Sequence, residues 1–214
     1  MKTTVLLVRH GHSEANLLKL FAGHKDYVLT ELGHEQGKKV AQYLQKIYHV
    51  DAVYSSDLSR AFQTAEHIAK ALNLTAIADV RFREIHGGDW EDMLHAQIPV
   101  QYPDDFFVWK NDIGNSRCTN GESALEVAER VYNALLDVAD RHPGQCIVVV
   151  THAVATRTAL WKVSGGPVSA MQEIPFGSNC CVNELLYEDG KLFAVRLNCV
   201  DHLAGCETKL SPNI

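Results

Sequence analysis

The sequence predicts an α/β protein: a three-layer sandwich in which helices cover both faces of a mostly parallel β-sheet. Two observations predict this class. Short runs of apolar and β-branched residues are typical of strands that are buried on both faces. These runs alternate along the chain with longer segments in which apolar residues recur at helical spacing. Such alternation produces parallel strands that are joined by crossover helices.

The first half of the chain supplies three predicted strands and two predicted helices. In chain order these are strand 3–8, helix 31–47, strand 52–54, helix 58–73 and strand 75–78. Thr30 is suited to cap the first helix, because its hydroxyl can accept from a free backbone N–H. The second helix is predicted from an apolar stripe at i, i+3/i+4 spacing, formed by Leu58, Ala61, Ala65, Ile68 and Leu72.

The middle of the chain, residues 82–120, is less regular and is predicted to form an irregular lid or insertion over the site. Four of its aromatic residues are Trp90, Phe106, Phe107 and Trp109. They can form an apolar lid over a bound leaving group, or they can fill a small satellite core. Both interpretations remain open at this stage.

The second half returns to regular structure. In chain order the predicted elements are a helix that Ser123 caps, strand 146–150, helix 154–163 and a terminal hairpin of strands 181–187 and 191–199. Gly165–Gly166 ends the last helix, and Asp189-Gly190 is a two-residue turn signal for the hairpin. No linker, charge block or repeat divides the chain, so residues 1–214 are predicted to form a single domain.

Composition excludes several classes of protein. The 20 Lys and Arg residues are outnumbered by 26 Asp and Glu residues, for a net charge of −6. This balance argues against a nucleic-acid-binding protein, which needs a basic face. No apolar run approaches the roughly 20 residues of a membrane helix, and the N-terminus has no signal-peptide pattern. We therefore expect a cytoplasmic protein without nucleic-acid or membrane partners.

The six cysteines form no CxxC pair and no repeating interval. They are therefore expected to be free thiols in a reducing compartment, and neither a disulfide framework nor a zinc site is indicated. The 11 histidines are scattered and lack a paired-carboxylate companion. We accordingly predict no metal and no cofactor.

Four residues with phosphate-binding chemistry follow buried strands. Arg9 and His10 end the first strand, Arg60 lies one turn beyond the second, and His152 follows strand 146–150. Ligands of parallel sheets bind beyond the carboxyl ends of the strands, so these side chains are expected to converge. Each of them alone has a structural explanation, as a hydrogen-bonding histidine or a solvated arginine. Together they predict an electropositive pocket for a compact anion such as phosphate.

Five ordered sequence blocks carry a resemblance to a known family. The blocks are VRHGHSEAN (8–16), SSDLSRAFQTA (55–65), REIHGGDWE (83–91), GES (121–123) and VVVTHAVATR (148–157). They resemble the histidine phosphatase superfamily, in the branch of the cofactor-dependent phosphoglycerate mutases and related phosphatases. The order of all five blocks, over most of the chain, makes the resemblance specific. It implies the phosphoglycerate mutase-like α/β/α fold.

The resemblance implies a covalent mechanism at His10. A neutral imidazole attacks phosphorus and forms a phosphohistidine, which divides the reaction into two easier steps. Arg9, Arg60 and His152 are implied to surround the phosphate oxygens, with His152 most useful as a cation or firm donor. Glu84 is implied as general acid and then general base. Bound phosphate and partial burial should favour its protonated form, although a surface ion pair with a neighbouring arginine is an alternative, and Glu91 is the nearest rival carboxylate.

Four further positions are assigned to substrate binding by the same resemblance. Asn16 is a neutral donor for a phosphate oxygen, and Ala153 opens a helix whose backbone N–H groups can donate. Gly11 lies in the first block, and Gly23 belongs to a pair that holds the substrate carboxylate in mutases. His12 and His24 depart from the family pattern, so we expect them to affect specificity or pH response.

Three differences favour a phosphatase over a mutase. Ala22-Gly23 replaces the Thr-Gly pair of the mutases, and His24 stands where mutases have Trp. Residues 98–120 are short, and Lys110 and Arg117 are their only cations. The terminal strand ends with LNCVDHL at 197–203, which is similar to the phosphatase branch.

The resulting expectation is a metal-independent phosphomonoesterase that hydrolyses a small phosphorylated metabolite, acting as a monomer or homodimer. Its substrate is a small-molecule phosphate ester, for which sugar phosphates, phosphoglycerate, phosphoserine and a cobalamin precursor are candidates. A cofactor-dependent phosphoglycerate mutase is the alternative. A non-catalytic module that binds a phosphorylated ligand is a third possibility, although every catalytic position holds a competent residue.

Overall fold

The computed structural model describes residues 1–208, and its centre is a six-stranded β-sheet. The strands are β1 (Thr3–Arg9), β2 (Ala52–Ser55), β3 (Ala76–Ala78), β4 (Cys146–Thr151), β5 (Val182–Glu188) and β6 (Lys191–Cys199). They lie in the order β3-β2-β4-β1-β5-β6. The first four in this order are parallel, and β5 is antiparallel to both β1 and β6. The prediction of a mostly parallel sheet is confirmed.

Helices cover both faces of this sheet. The α-helices are α1 (Glu14–Leu18), α2 (Glu31–Ile47), α3 (Ser59–Leu72), α4 (Ile98–Gln101), α5 (Pro103–Asn111), α6 (Ala124–Asp140) and α7 (Ala153–Ser164). The short 3₁₀ helices are Val80–Phe82, Gly88–Trp90, Ile113–Asn115, Val168–Glu173 and Asp201–Leu203. Helix α2 packs beside α3, and α6 packs beside α7. The three-layer α/β/α sandwich is therefore confirmed.

The strand interiors divide the core into two layers. In β1, Leu6 and Val8 point to the layer that holds the apolar side chains of α2 and α3. Val5 and Leu7 point to the opposite layer, which holds those of α6 and α7. All four are fully buried, as expected for a strand covered on both sides. Strand β1 lies in the interior of the sheet, between β4 and β5, so its carboxyl end lies near the centre of one sheet edge.

The helix caps and the hairpin turn that the sequence predicts are present in the structure. The Thr30 hydroxyl accepts from the Gly33 N–H at 3.2 Å and caps α2. Ser123 caps α6 through a reciprocal bond with Glu126. Asp189 and Gly190 have φ values of 51° and 76°, which is the left-handed geometry of a two-residue hairpin turn.

The middle segment, residues 82–120, is less irregular than predicted, because it contains α4 and α5. Pro103 at the start of α5 supplies a fixed φ angle suited to a first helical turn. Trp90 and Trp109 belong to the main core, with 0% and 4% exposure, whereas Phe107 is 67% exposed. The aromatic residues thus have different roles: Trp90 fills the core, and only Trp109 also faces the pocket described below.

The short helix α1 was not predicted from the sequence. It has only five residues, too few to show a helical period. Ser13 and Asn16 hold it with a capping box, in which each side chain bonds the other residue's backbone.

No helix within residues 1–208 has the length and apolar character needed to cross a membrane. The six cysteines at positions 118, 146, 180, 181, 199 and 206 are all unpaired thiols.

Candidate active site

The predicted site residues meet at the carboxyl edge of the four parallel strands. Arg9 is the last residue of β1, and His10 follows it directly. Arg60 lies in the first turn of α3, after β2. His152 is the N-cap residue of α7, immediately after β4. Glu84 arrives from the segment after β3, so every parallel strand is followed by at least one of these side chains.

These residues surround one pocket with a volume of about 530 Å³, including its open mouth. Its lining includes seven of the predicted site residues, namely Arg9, His10, Asn16, Gly23, Arg60, Glu84 and Ala153. The remaining lining residues are Ser13, Leu20, Phe21, Ala22, Ile85, His95, Trp109 and Val154. Gly11 and His152 are not among the lining residues, but the His152 ring lies 5.1 Å, centroid to centroid, from the ring of His10, which lines the pocket.

The ring of His10 is oriented by a neighbouring carbonyl. Its Nδ1 lies 2.7 Å from the Gly11 carbonyl oxygen, which can only accept, so Nδ1 carries the proton. The other nitrogen, Nε2, therefore keeps its lone pair. Burial, together with the charge of Arg60, holds the pKa of His10 well below its usual range. His10 is consequently a neutral imidazole with a fixed tautomer at neutral pH, and its Nε2 can act as a nucleophile.

Two buried guanidinium groups stand beside it. Arg9 is 2% exposed, and its Nη1 donates to the Gly177 carbonyl at 2.5 Å. Its Nε is buried without a hydrogen-bond partner among the described residues. Arg60 donates to the carbonyls of Gly23 and Lys25 at 2.8 and 2.9 Å. Burial lowers the pKa of Arg60 to about 10, so it remains a cation at neutral pH.

His152 is fully buried, and neither ring nitrogen has a hydrogen-bond partner among residues 1–208. Its ring centroid is 5.1 Å from that of His10. Buried polar atoms are nearly always paired in native proteins, so these orphaned nitrogens mark a place for a polar ligand. Burial and the charge of Arg60 hold the pKa of His152 well below its usual range. At neutral pH the His152 imidazole is therefore neutral and offers one N–H donor.

Glu84 is 9% exposed and is held at the N-terminus of α7. Its Oε1 accepts from the N–H groups of Ile85 at 3.0 Å and Ala155 at 3.1 Å, and its Oε2 accepts from Val154 at 3.2 Å. These three backbone donors fix the carboxyl group of Glu84 at the start of α7, where it lines the same pocket as His10.

The alternative explanation for Glu84, a surface ion pair with a neighbouring arginine, does not fit the contacts. Arg81 pairs with Asp79 and Asp137. Arg83 pairs with Asp57 at 2.5 Å. Both arginines are thus engaged by other carboxylates, while the Glu84 carboxylate is turned to the backbone of α7.

The predicted binding residues differ in what they offer a ligand. The Asn16 side-chain oxygen accepts from Ser13 and Asn179, so its amide N–H group is what remains for a ligand. The Gly11 N–H donates to Thr64 at 3.0 Å, so it has a structural contact. Gly23 presents its carbonyl to Arg60 rather than a donor to the pocket.

The helix α7 supplies fewer free donors than expected. Its second and third N–H groups, those of Val154 and Ala155, are used by Glu84. Ala153 lines the pocket as the first residue of the helix. Several backbone donors for phosphate were expected at this position. Of the first three N–H groups of α7, the one that Glu84 does not use is that of Ala153.

Three residues that sequence reasoning missed hold this arrangement. Thr64 lies one turn after Arg60 and joins the Arg60 carbonyl to the Gly11 N–H. The Asn179 amide donates to the His10 carbonyl at 3.0 Å, and Gly177 accepts from Arg9. Thr64 had a sequence signal, its i+4 spacing from Arg60 within the same block. Asn179 had none, because its contact with His10 spans 169 residues.

The two histidines that depart from the family pattern have structural contacts. His12 Nδ1 lies 2.9 Å from the Thr30 hydroxyl, and His12 is outside the pocket lining. His24 Nε2 donates to the Glu84 carbonyl at 2.8 Å, and its N–H donates to Glu91. Glu91 also accepts from the Gly87 N–H, so the rival carboxylate holds loops together beside the site.

Within residues 1–208, no cluster of three or more His, Cys, Asp or Glu side chains is arranged to hold a metal ion. The site as described can bind a tetrahedral oxyanion with its guanidinium and imidazole groups. It also presents a nucleophile and a protonatable carboxylate to that anion.

Comparison with known proteins agrees with this chemistry. The chain is 36% identical over 200 residues to "Phosphoserine phosphatase 1" of Hydrogenobacter thermophilus, covering 93% of each chain. It is 31% identical over 194 residues to "Probable phosphoglycerate mutase GpmB" of Proteus mirabilis, covering 89% of this chain and 87% of that one. The native structure of mycobacterial glucosyl-3-phosphoglycerate phosphatase superposes with a TM-score of 0.85 at 25% identity, covering 94% and 100% of the two chains.

A family model of the histidine phosphatase superfamily (branch 1) matches residues 5–200, which is most of the chain. The resemblance carried by the five sequence blocks is thereby confirmed, and the chain belongs to the histidine phosphatase superfamily, branch 1.

Proposed function

We propose that this protein is a phosphatase that hydrolyses small phosphomonoesters through a phosphohistidine at Nε2 of His10. The observation that carries the proposal is the hydrogen bond from Nδ1 of His10 to the Gly11 carbonyl at 2.7 Å. It leaves Nε2 as the nucleophilic atom, next to unpartnered nitrogens of Arg9 and His152. Relatives named as phosphatases support an enzyme of this class.

In the first step, the Nε2 lone pair forms a bond to phosphorus while the bond from phosphorus to the ester oxygen breaks. Glu84, protonated in the complex, gives its proton to the departing alkoxide. In the second step, a water oxygen attacks phosphorus and the P–N bond breaks. The Glu84 carboxylate takes the proton from that water. Inorganic phosphate leaves, and both residues return to their starting states.

Charge on the transferring phosphoryl group is met by Arg9, Arg60 and His152. Both guanidinium groups are buried, so their interaction with phosphate is weakly screened by solvent. The orphaned nitrogens of His152 supply a donor to an equatorial oxygen, and the Asn16 amide supplies another. These groups are already in position before substrate binds, which lowers the reorganisation needed in the transition state.

A phosphoglycerate mutase is the second candidate, since a relative named as a probable phosphoglycerate mutase is 31% identical to this chain. It requires the phosphohistidine to be shielded from water and a substrate carboxylate to be held. In this chain, the Gly23 carbonyl accepts from Arg60. The preceding residue is Ala22, which lacks the hydroxyl of the threonine at that position in mutases. These features favour hydrolysis over transfer.

We also propose that the reaction needs no metal or other cofactor, because the described nucleophile, acid and phosphate ligands complete it. The six unpaired thiols support a reducing compartment such as the cytoplasm. We expect a small-molecule phosphate ester as partner, no nucleic acid or membrane, and a monomer or homodimer.

The experiment that tests the function is hydrolysis of p-nitrophenyl phosphate in EDTA, with 3-phosphoglycerate as a second substrate. Turnover should persist in EDTA, and His10→Ala should lower it by about 10³-fold or more. His12→Ala is the matched control, because His12 lies in the same loop but outside the pocket. The proposal is wrong if EDTA abolishes turnover or if His10→Ala retains an acid-labile phosphoryl label. The mutase alternative is favoured if 3-phosphoglycerate is isomerised faster than it is hydrolysed.

A further inference from the structure

One part of the pocket lining is an aromatic wall, formed by Phe21, His95 and Trp109. All three side chains line the pocket. The Phe21 ring is 5.8 Å from His95 and 5.7 Å from Trp109, centroid to centroid, and both contacts are edge-on. Leu20 and Ile85 line the same pocket and add to its apolar surface.

This wall is fixed by backbone hydrogen bonds between two segments that are distant in sequence. The Phe21 N–H donates to the Met93 carbonyl at 2.9 Å, and the His95 N–H donates to the Lys19 carbonyl at 3.0 Å. Phe21 and Trp109 are 6% and 4% exposed, so the surrounding core also holds them. The wall is therefore a preformed surface that a ligand can contact with little loss of conformational entropy.

The wall carries no full charge of its own. Among the described residues that line the pocket, the Lys and Arg residues are Arg9 and Arg60, and both belong to the phosphate-binding end. A second anionic group on the substrate, such as a carboxylate, would lie against apolar side chains without a cation to pair with. Burying such a group unpaired is costly, so the wall selects against it.

His95 is the polar exception. Within residues 1–208 its ring makes no hydrogen bond, and burial lowers its pKa below the usual value. The neutral imidazole offers one N–H donor and one acceptor nitrogen. It can therefore satisfy a single neutral polar atom within an otherwise apolar leaving group.

We propose that the preferred leaving group is an apolar, ring-sized alcohol that packs on the aromatic wall and exchanges one hydrogen bond with His95. The inference rests on the proposed phosphatase function and narrows its substrate class. It assigns specificity to His95, whereas the chemical step belongs to His10 and Glu84.

The first test compares benzyl phosphate with glycerol 3-phosphate and phosphoserine. All three release alkyl alcohols, so differences in kcat/KM report mainly how the leaving group is bound. Burial of the phenyl ring should favour benzyl phosphate by about 10- to 100-fold. Equal or better hydrolysis of phosphoserine or glycerol 3-phosphate would overturn the inference.

The second test isolates His95. The three isomeric pyridylmethyl phosphates add one ring nitrogen to benzyl phosphate, at different positions. In the wild type, one isomer should have a higher kcat/KM, relative to benzyl phosphate, than the other two isomers. In His95→Phe that gain in kcat/KM, measured relative to benzyl phosphate in the same variant, should fall by about three- to tenfold, which is the effect of one hydrogen bond. The control is His49→Phe, whose side chain is 97% exposed and distant from the pocket. An unchanged isomer preference in His95→Phe contradicts the assignment.

Hydrolysis of p-nitrophenyl phosphate and its dependence on His10 distinguish a failure of the proposed function from a failure of the leaving-group inference. If the wild type hydrolyses that ester and His10→Ala does not, the proposed function holds, and the substrate comparison alone decides the inference. If neither hydrolyses any ester, both the function and the inference are wrong.

Discussion

The buried imidazole rings of His10 and His152 lie 5.1 Å apart, and burial together with Arg60 lowers the pKa of both. In the unfolded chain these rings bind protons near pH 6.5, whereas the folded protein keeps them neutral to a lower pH. As pH falls below about 6.5, the unfolded state therefore binds more protons than the folded state, and stability decreases.

The first prediction is that replacing one of these rings flattens the pH dependence of stability. Each depressed histidine contributes a slope of up to about 1.4 kcal/mol per pH unit between its unfolded and folded pKa values. His152→Gln should remove one such slope, which urea unfolding of the ligand-free protein between pH 6.5 and 5 measures. His10→Gln is a second variant with the same expected effect. His49→Gln is the exposed control, and pH profiles parallel to the wild type in both site variants would refute the explanation.

The second prediction concerns Glu84, whose carboxylate is held by the backbone at the start of α7. Glu84→Gln should lower kcat/KM for an alkyl phosphate by about 10²- to 10⁴-fold, because an alkoxide needs a proton to leave. For p-nitrophenyl phosphate the loss in kcat/KM should be less than about tenfold, since nitrophenolate departs without that proton. Glu91→Gln should show no dependence on the leaving group. Equal losses for both esters in Glu84→Gln would indicate a structural role.

The third prediction concerns Gly23, which has a φ of 51° and presents its carbonyl to Arg60. A Cβ atom at this position would lie 2.2 Å from Oε1 of Glu91, so Gly23→Ala must displace the Glu91 side chain, which accepts from the His24 N–H, or the loop that holds Arg60. We expect kcat/KM to fall by about tenfold or more. Gly190→Ala is the matched control, because it has a φ of 76° but open space around the new Cβ. That variant should lose about 1 kcal/mol of stability and keep its activity. Full activity of Gly23→Ala would argue against positioning of Arg60 by this loop.

The fourth prediction concerns Asn179, whose amide donates to the His10 carbonyl while its oxygen accepts from Thr208. Asn179→Ala should lower kcat by about tenfold, because it loosens the nucleophile, and it should also raise KM, because Asn179 donates to the side-chain oxygen of Asn16 as well. Thr208→Ala removes only the contact on the other side of the amide and should retain most of the activity. Similar kcat losses in the two variants would assign Asn179 to general stability of the segment.

Much of the fold could be predicted because its signals are local. Strand β1 is a run of apolar residues, α2 begins at a capping threonine, and the hairpin turn carries Asp189-Gly190. These features depend on backbone propensity and periodicity, which neighbouring residues largely determine. The helices α1 and α5 could not be predicted in this way, because they are short and depend on a cap or on packing around Trp109.

The identities of the reacting groups were also available in the sequence. His10, Arg9, Arg60 and His152 each follow a buried strand, and parallel strands bring their carboxyl ends to one edge. That rule needs only the order of elements and not their detailed contacts. The position of Glu84 came from the family resemblance instead, because no strand of regular length precedes it directly.

Only the tertiary structure decided how these groups are held and what they face. The tautomer of His10, the seating of Glu84 on α7 and the support from Asn179 all depend on contacts at the scale of single atoms. The aromatic wall likewise joins residues 19–21 to residues 93–95, which no local pattern connects. The sequence by itself predicted a phosphate pocket with a histidine beside it, since that prediction depends only on charge, residue type and the order of the strands. Folding determined the leaving-group pocket, since its shape and polarity arise from long-range packing.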